Sequence, residues 1–451
     1  MFMESQKLTI FGIEFRSDSS DRWLGDNGSV LILILLGFTA FNYIYNGLFR
    51  PLSTEKVDFV AYYNAALAFK YGLPIYEHMT RFFQEGVLDY KGPLPYVYSP
   101  SFVIFLSPLA YLSFKQAALL WNIFSHIFFF LGIITLMKAV KRRYSWLEGI
   151  VLLFICMNFT PLFIDYLVGQ CNIILFSLIT LGLYFYRSNK DIYVGVALAL
   201  ATVIKVIPGL LIGYMLWKRQ YKAFFSAISV LCLIFIYSLL FFDVDLYVWY
   251  FKSMVSQGIF DAYHDNHSLT GFFSRLFVHS TWTTGIIDSP LFARICILAS
   301  SALVLLALAY VTRKREDRSS ARALRGYALA VMTMLLTSKM TSTPYLVMVL
   351  VPFAVLVHEL FCCQTRNKWF YLLAAAYGVV AIWYPLPVGR FLDMETYRIY
   401  MKGLQVNIFS LQFFALLVIW FYLAFAPLPT VSADSTGMDA AVSFQGHGDD
   451  R

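Results

Sequence analysis

Apolar stretches recur along almost the whole chain, at roughly 29–49, 117–137, 147–166, 172–186, 223–242, 288–312, 344–361, 369–387 and 407–426, with a shorter one at 326–340. A helix of about 20 apolar residues matches the roughly 30 Å hydrocarbon core of a bilayer, so each of these reads as a membrane-crossing helix. Two runs break the pattern. The stretch 99–113 is short and carries Pro100 and Pro108, and 193–217 has Lys205 and Pro208 near its middle. Two long polar loops, at about 50–98 and 243–287, interrupt the apolar series. The pattern predicts an all-α polytopic membrane protein of about 10–13 transmembrane or re-entrant helices.

Composition sharpens this. A chain of 451 residues could hold two or three soluble domains, but hydrophobic residues make up 59% of it and charged residues 14%, against about 45–50% and 25% in soluble proteins. No room remains for a large soluble catalytic domain. Chemistry must therefore sit in a loop at the membrane or inside the bundle. The formal charge of +8 fits an excess of Lys and Arg in cytoplasmic loops, not a nucleic-acid partner. The six cysteines, Cys156, Cys171, Cys232, Cys296, Cys362 and Cys363, show no metal or redox spacing. The adjacent pair Cys362 and Cys363 reads either as an acylation site or as small residues at a helix end. Nothing calls for a cofactor.

Charge also orients the chain. Lys138, Lys141, Arg142 and Arg143, then Arg187 with Lys190, Lys218 with Arg219 and Lys222, the run Arg313 to Arg325, and Arg366 with Lys368 mark cytoplasmic loops. All can be cytoplasmic only if 193–217 is a broken or re-entrant hairpin and 99–113 fails to cross once. Residues 1–28, without a cleavable signal, are then a cytoplasmic segment, 29–426 the membrane domain, and 427–451 a small, polar, disordered cytoplasmic tail. Both long loops fall on the extracytoplasmic side.

The first loop carries the densest chemistry. From Asp58 to Lys70 the apolar positions 59, 62, 66 and 69 fall at helical spacing, which predicts an amphipathic helix on the membrane surface. Asp58 begins it, as a helix cap or as a reactive carboxylate. Gly72 and Pro74 end it. A second stretch leads through Pro93, Pro95, Tyr96 and Tyr98 back into the membrane; tyrosines there serve an interfacial belt or grip a sugar or a lipid phosphate. Lys205, a cation in an apolar segment, is functional by default, with snorkelling or neutralisation in a packed cavity as the alternative. His264 and His267 with Asp261 and Asp265 are spaced like a loop, not a metal site. Asn158-Phe-Thr160 and Asn266-His-Ser268 match the glycosylation sequon, a cheap three-residue signal.

Taken in order, Asp58 with Tyr62, Gly72-x-x-x-Tyr76, Tyr96-x-Tyr98-x-Pro100-x-Phe102 with Pro108, Gly169-Gln170-x-Asn172, Gly195 followed by Lys205-x-x-Pro208, and Asn266-x-Ser268-x-x-Gly271-x-x-x-Arg275 resemble glycosyltransferase family 87, over most of 50–355. These are polytopic enzymes of the GT-C superfamily, typified by polyprenyl-phosphate-mannose-dependent mannosyltransferases. The resemblance implies a GT-C-like bundle in a plasma (inner) membrane, an extracytoplasmic active site, a lipid-linked sugar donor, a lipid or glycan acceptor, and inverting, metal-independent transfer. One departure stands out. Many relatives carry a Ser-Pro pair, then an aromatic, then His or Tyr. Here Ser338-Lys339-Met-Thr341-Ser342-Thr343-Pro344-Tyr345 puts Lys339 at the Pro and Pro344 where His is common.

Elementary chemistry agrees. Inverting transfer needs one carboxylate to accept the acceptor hydroxyl proton, and Asp58 is the candidate. A lipid phosphate is already a good leaving group, so the other need is positive charge or donors beside it. Lys205 and Arg275 are the candidates, with Lys339 a possible substitute; Arg275 reads equally as a headgroup-level loop cation. Tyr62, Tyr76, Tyr98, Gln170, Asn172, Asn266 and Ser268 complete the candidate substrate-binding set, although Gln170 and Asn172 would equally bond backbone at a turn. The competing class is a transporter or flippase of a lipid-linked saccharide, for which broken intramembrane segments are also typical. No internal duplication supports it, and the polar residues gather in two loops.

Overall fold

The computed structural model describes residues 8–16, 26–53, 57–76, 96–141, 143–256, 258–280, 283–362, 368–382 and 410–428. The expectations for 77–95, including Pro93 and Pro95, for Cys363 and for the tail from 429 fall outside these residues.

The chain is an all-α polytopic membrane protein. Helix α1 (Asp26–Tyr43) continues through a wide turn, Ile44–Phe49, to Leu52. There follow α2 (Val57–Lys70), α3 (Pro100–Leu106, tightening into Ser107–Tyr111), α4 (Phe114–Val140), α5 (Trp146–Met157), α6 (Thr160–Val168), α7 (Asn172–Arg187), α8 (Asp191–Ile204) and α9 (Gly209–Trp217). Then come α10 (Tyr221–Ser238), α11 (Val244–Ser256), α12 (Leu269–Phe277), α13 (Pro290–Val311) and α14 (Ala321–Thr337). A tight turn of helix, Thr343–Val349, leads into α15 (Leu350–Cys362), and α16 (Lys368–Ile382) and α17 (Leu411–Phe425) complete the series. Among the described residues, five helices are long and apolar enough to cross a membrane, and α5 with α6, bent by 41°, makes up to a sixth. The bend falls at Asn158, whose amide bonds Thr39 and Asn42 within the packed bundle. With both its amide oxygen and its amide nitrogen engaged, Asn158 is not free as a glycosylation acceptor.

The run 193–217 is a hairpin. At one end Asp191 of α8 pairs with Arg318, while Lys218, just past α9, donates to the carbonyls of Thr312 (2.8 Å) and Lys314 (2.6 Å). Both arms therefore return to the 312–318 loop, and Lys205 to Pro208 form the opposite tip. Helix α8 lies so close to α10 that a Cβ on Gly195 would stand 2.5 Å from the Ala223 carbonyl. The basic loops at 187–190, 218–222 and 313–325 thus gather at one end of the bundle. The two long loops meet at the other, where Ser101 and Tyr247 share a 2.7 Å hydrogen bond and Tyr76 lies 4.8 Å from the Trp249 ring.

Two features differ from expectation. Helix α2 forms where the spacing places it, but it is packed in, not laid on a surface: every residue from Phe59 to Ala68 is buried. Phe59 and Tyr62 pack on Trp121, Tyr63 donates to the Leu112 carbonyl, and Ala61, Ala65 and Ala68 let neighbours approach the other face. The apolar spacing marked one face and missed that alanine packs as well as leucine against a close neighbour. Second, the segment 1–28 contains two strands, β1 (Leu8–Ile10) and β2 (Ile13–Arg16), antiparallel to each other; β2 also pairs in parallel with β3 (Arg143–Ser145). Phe15 stacks on Trp146 at 5.4 Å. Strands of three or four residues are too short to leave a periodic trace, and the β2–β3 pairing joins segments far apart in sequence.

Candidate active site

Asp58 stands in the first turn of α2, and Tyr62, one helical turn on, points the same way. Across from them, Gly169 ends α6 in the left-handed conformation (φ 73°), and its N–H and that of Gln170 both bond the Asp165 carbonyl. A side chain at Gly169 would strain this turn. The turn projects Gln170 toward α2 and lets Asn172 start α7.

Gln170 is the junction. Its Oε1 lies 3.0 Å from the Tyr62 hydroxyl, 3.1 Å from that of Tyr98 and 3.3 Å from Lys205 Nζ. With the oxygen surrounded by donors, the amide nitrogen is the atom left for the neighbouring Asp58 carboxylate. Burial pushes the Asp58 carboxyl above its usual range, opposed by the Gln170 side chain and the charge of Lys205. Lys205, only 8% exposed at the hairpin tip, also donates to Asn172 Oδ1 at 2.8 Å and sits 3.6 Å above the Tyr345 ring. Asn172 in turn donates to Asp165 at 2.9 Å. Gln170, Lys205, Asn172 and Asp165 are thus joined in one chain of hydrogen bonds, with Asp58 beside its Gln170 end. Tyr76 does not join it: it donates to the Tyr98 carbonyl (2.7 Å) and packs on the second loop.

The second loop builds a separate knot. Asn266 Oδ1 accepts from the Ser268 N–H and hydroxyl and from the Thr341 N–H, and its Nδ2 donates to the Lys339 carbonyl at 2.9 Å. Ser268 caps α12 by accepting from the Gly271 N–H. A Cβ on Gly271 would lie 2.2 Å from the Asn266 carbonyl. Arg275, fully buried, donates to the carbonyls of Tyr263 (2.9 Å) and Asn266 (2.8 Å) and to Ser410. In this arrangement Asn266 and Ser268 hold the loop to the segment after α14, and Arg275 ties the loop to itself and to Ser410 at the start of α17. Asn266 is buried too deeply for glycosylation.

That segment links the two clusters. Thr343 bonds Asp265 through its N–H (3.1 Å) and hydroxyl, and Tyr345, two residues on, covers Lys205. Burial works against ionisation of Asp265, but the bonds from His267 and Thr343 outweigh it and hold the carboxyl below its usual value. Asp261 is pushed up by burial, against the nearby charges of Lys339 and Arg275, and burial pulls Lys339 below the usual lysine value with Asp261 opposing. Among the described residues no three His, Cys, Asp or Glu side chains form a group suited to a metal ion.

Sequence reasoning overlooked Asp165 and Tyr345. Asp165 carried a signal, a carboxylate inside an apolar run; an aromatic after a proline carried none.

The model of glycosyltransferase family 87 matches residues 96–338, more than half of the 451-residue chain. This stretch includes Gln170, Asn172, Lys205 and the Asn266–Arg275 knot, and leaves Asp58, Tyr62, Tyr76 and Lys339 outside it. No curated protein and no solved structure matches the chain. With a polytopic helical bundle and a family match of this extent, the chain belongs to glycosyltransferase family 87 and is a membrane glycosyltransferase.

Proposed function

We propose that the chain transfers a mannosyl residue from a polyprenyl-phosphate donor to an extracytoplasmic lipid or glycan acceptor with inversion, and that Asp58 is its general base. The observation carrying this reading is the Gln170 side chain, which accepts from Lys205 at 3.3 Å and neighbours the Asp58 carboxylate. A base for the acceptor hydroxyl and a cation for the leaving phosphate therefore border one polar site.

The acceptor hydroxyl attacks the anomeric carbon as its proton passes to Asp58. The bond from that carbon to the phosphate oxygen breaks, and the electron pair leaves with the lipid phosphate. Burial raises the affinity of Asp58 for a proton, which suits a base. Lys205 offers positive charge toward the leaving phosphate, fixed by Asn172 and Gln170, and Lys339 adds a second cation from the 338–343 segment. The basic loops at the opposite end of the bundle favour an inner, plasma-membrane orientation with Asp58 on the outer face. No nucleotide-sugar pool exists there, which favours a lipid-borne donor.

The test is transfer by the full chain in lipid nanodiscs, given polyprenyl-phosphate-mannose, polyprenyl-phosphate-glucose or a nucleotide-mannose. Labelled product should form from the first donor alone, with the anomeric configuration opposite to the donor's. Transfer from the nucleotide sugar, or a retained configuration, would overturn the reading.

A further inference from the structure

Far from Asp58, where the C-termini of α9, α13 and α17 meet the N-terminus of α14, lies a cavity of about 440 Å³. This is within the size range of small-ligand sites. Helix α14 runs from this cavity to the knot around Asn266, and its 17 residues make the separation about 25 Å. The cavity plays no part in the transfer chemistry proposed above.

Five cations line it, with Glu316 among them. Two are already committed: Lys218 to the Thr312 and Lys314 carbonyls, and Arg325 to Glu359. Three are held less firmly. Lys314 has no side-chain partner among the described residues. Arg313 lies 3.9 Å over the Tyr310 ring at the exposed edge and interacts with that side chain. Arg322, itself exposed, stands 3.8 Å from the half-buried Glu316, a long contact worth little. Tyr214 also lines the cavity, and its buried hydroxyl has no hydrogen-bond partner among the described residues.

The remaining wall is apolar, including Leu329 and Leu423, and the cavity opens beside Tyr310 and Phe425, which are 65% and 61% exposed at the ends of apolar helices. Cations at the rim and hydrocarbon beside them match an amphiphile. We infer that this cavity binds the phosphate headgroup of an anionic phospholipid, with its acyl chains leaving along Tyr310 and Phe425. Basic pockets between helices at a membrane face take such headgroups.

The experiment uses the full chain in neutral detergent and native mass spectrometry, titrating phosphatidylglycerol or phosphatidylcholine. The cavity variant is Lys314→Gln/Arg322→Gln, and a control, Lys190→Gln/Lys222→Gln, removes the same charge from exposed positions outside the cavity. Wild type and control should retain phosphatidylglycerol in preference to phosphatidylcholine. The cavity variant should retain phosphatidylglycerol about 30-fold more weakly, as expected for two cations lost at an anionic headgroup. Equal weakening by the control, or equal retention of both lipids by wild type, would overturn the site. An arm with inorganic phosphate separates the two sources of the same chemistry. Displacement of bound phosphatidylglycerol only at large excess supports a lipid site; binding of phosphate with no phosphatidylglycerol retained refutes it.

Discussion

Replacing Asp58 by Asn separates a general base from a structural carboxylate, because the structure sets opposite expectations for rate and stability. Asn matches Asp in size and still meets Gln170, but it cannot take a proton. General-base catalysis contributes about 10²–10⁴-fold, or roughly 3–5 kcal/mol of barrier at 1.36 kcal/mol per tenfold. The stability balance is small and of mixed sign. Burial raises the Asp58 pKa in the fold, so the native state holds a proton that the unfolded chain has released. Stability contributed by this group is therefore greatest in acid, and it is lost as pH rises from the ordinary carboxylate value near 4 toward the higher folded value. At neutral pH the ionised carboxylate costs the fold something that Asn does not. Against this, Asn gives up the attraction of a carboxylate for a helix N-terminus, about 0.3–1 kcal/mol. The two offset, and thermal unfolding in detergent should place Asp58→Asn within about 1 kcal/mol of wild type. Single-turnover transfer should fall at least a hundredfold. The acid limb of wild-type kcat/KM should lie above the pKa of a free carboxylate and vanish from the variant's residual activity. A stable variant with more than a tenth of wild-type transfer refutes the role of Asp58. The search for the base then moves to Asp165 or Asp265.

Three further outcomes are expected. Lys205→Met should insert and fold, since Gln170 keeps two tyrosine donors, while donor affinity drops about tenfold, the loss of one charge-assisted contact; unchanged donor affinity in a binding assay removes the phosphate role. Gly271→Ala should lower stability by about 1–3 kcal/mol through overpacking against Asn266, and Arg275→Met by about as much for each of the two carbonyls it strands; thermal midpoints equal to wild type would show that the knot is dispensable. In a background lacking native cysteines, Tyr71→Cys should react with an impermeant thiol reagent from outside intact cells and Arg315→Cys should not; the reverse labelling inverts the orientation.

The order of helices, the break at Lys205 and the concentration of chemistry in two loops were legible in the chain itself. Apolar spacing and proline act over a few residues, and local sequence records them directly. Lys205 and Asp58 stood out for a similar reason: a charge in or beside an apolar run is costly wherever the chain goes. Partnership was not legible. Tyr62 meets Gln170 across 108 positions and Asn266 meets Thr341 across 75, and no local pattern encodes which buried donor finds which acceptor. Tertiary packing alone made Gln170 the junction between carboxylate and lysine and set Tyr345 over that lysine. It also turned Asn266, Ser268 and Arg275, read as substrate-binding candidates, into a closed hydrogen-bonded knot. The same holds for α2, where alanines on the supposed outer face let neighbouring segments close over it. A buried polar group must find its partner within the fold, and the identity of that partner is a property of the whole topology, not of the segment that carries it.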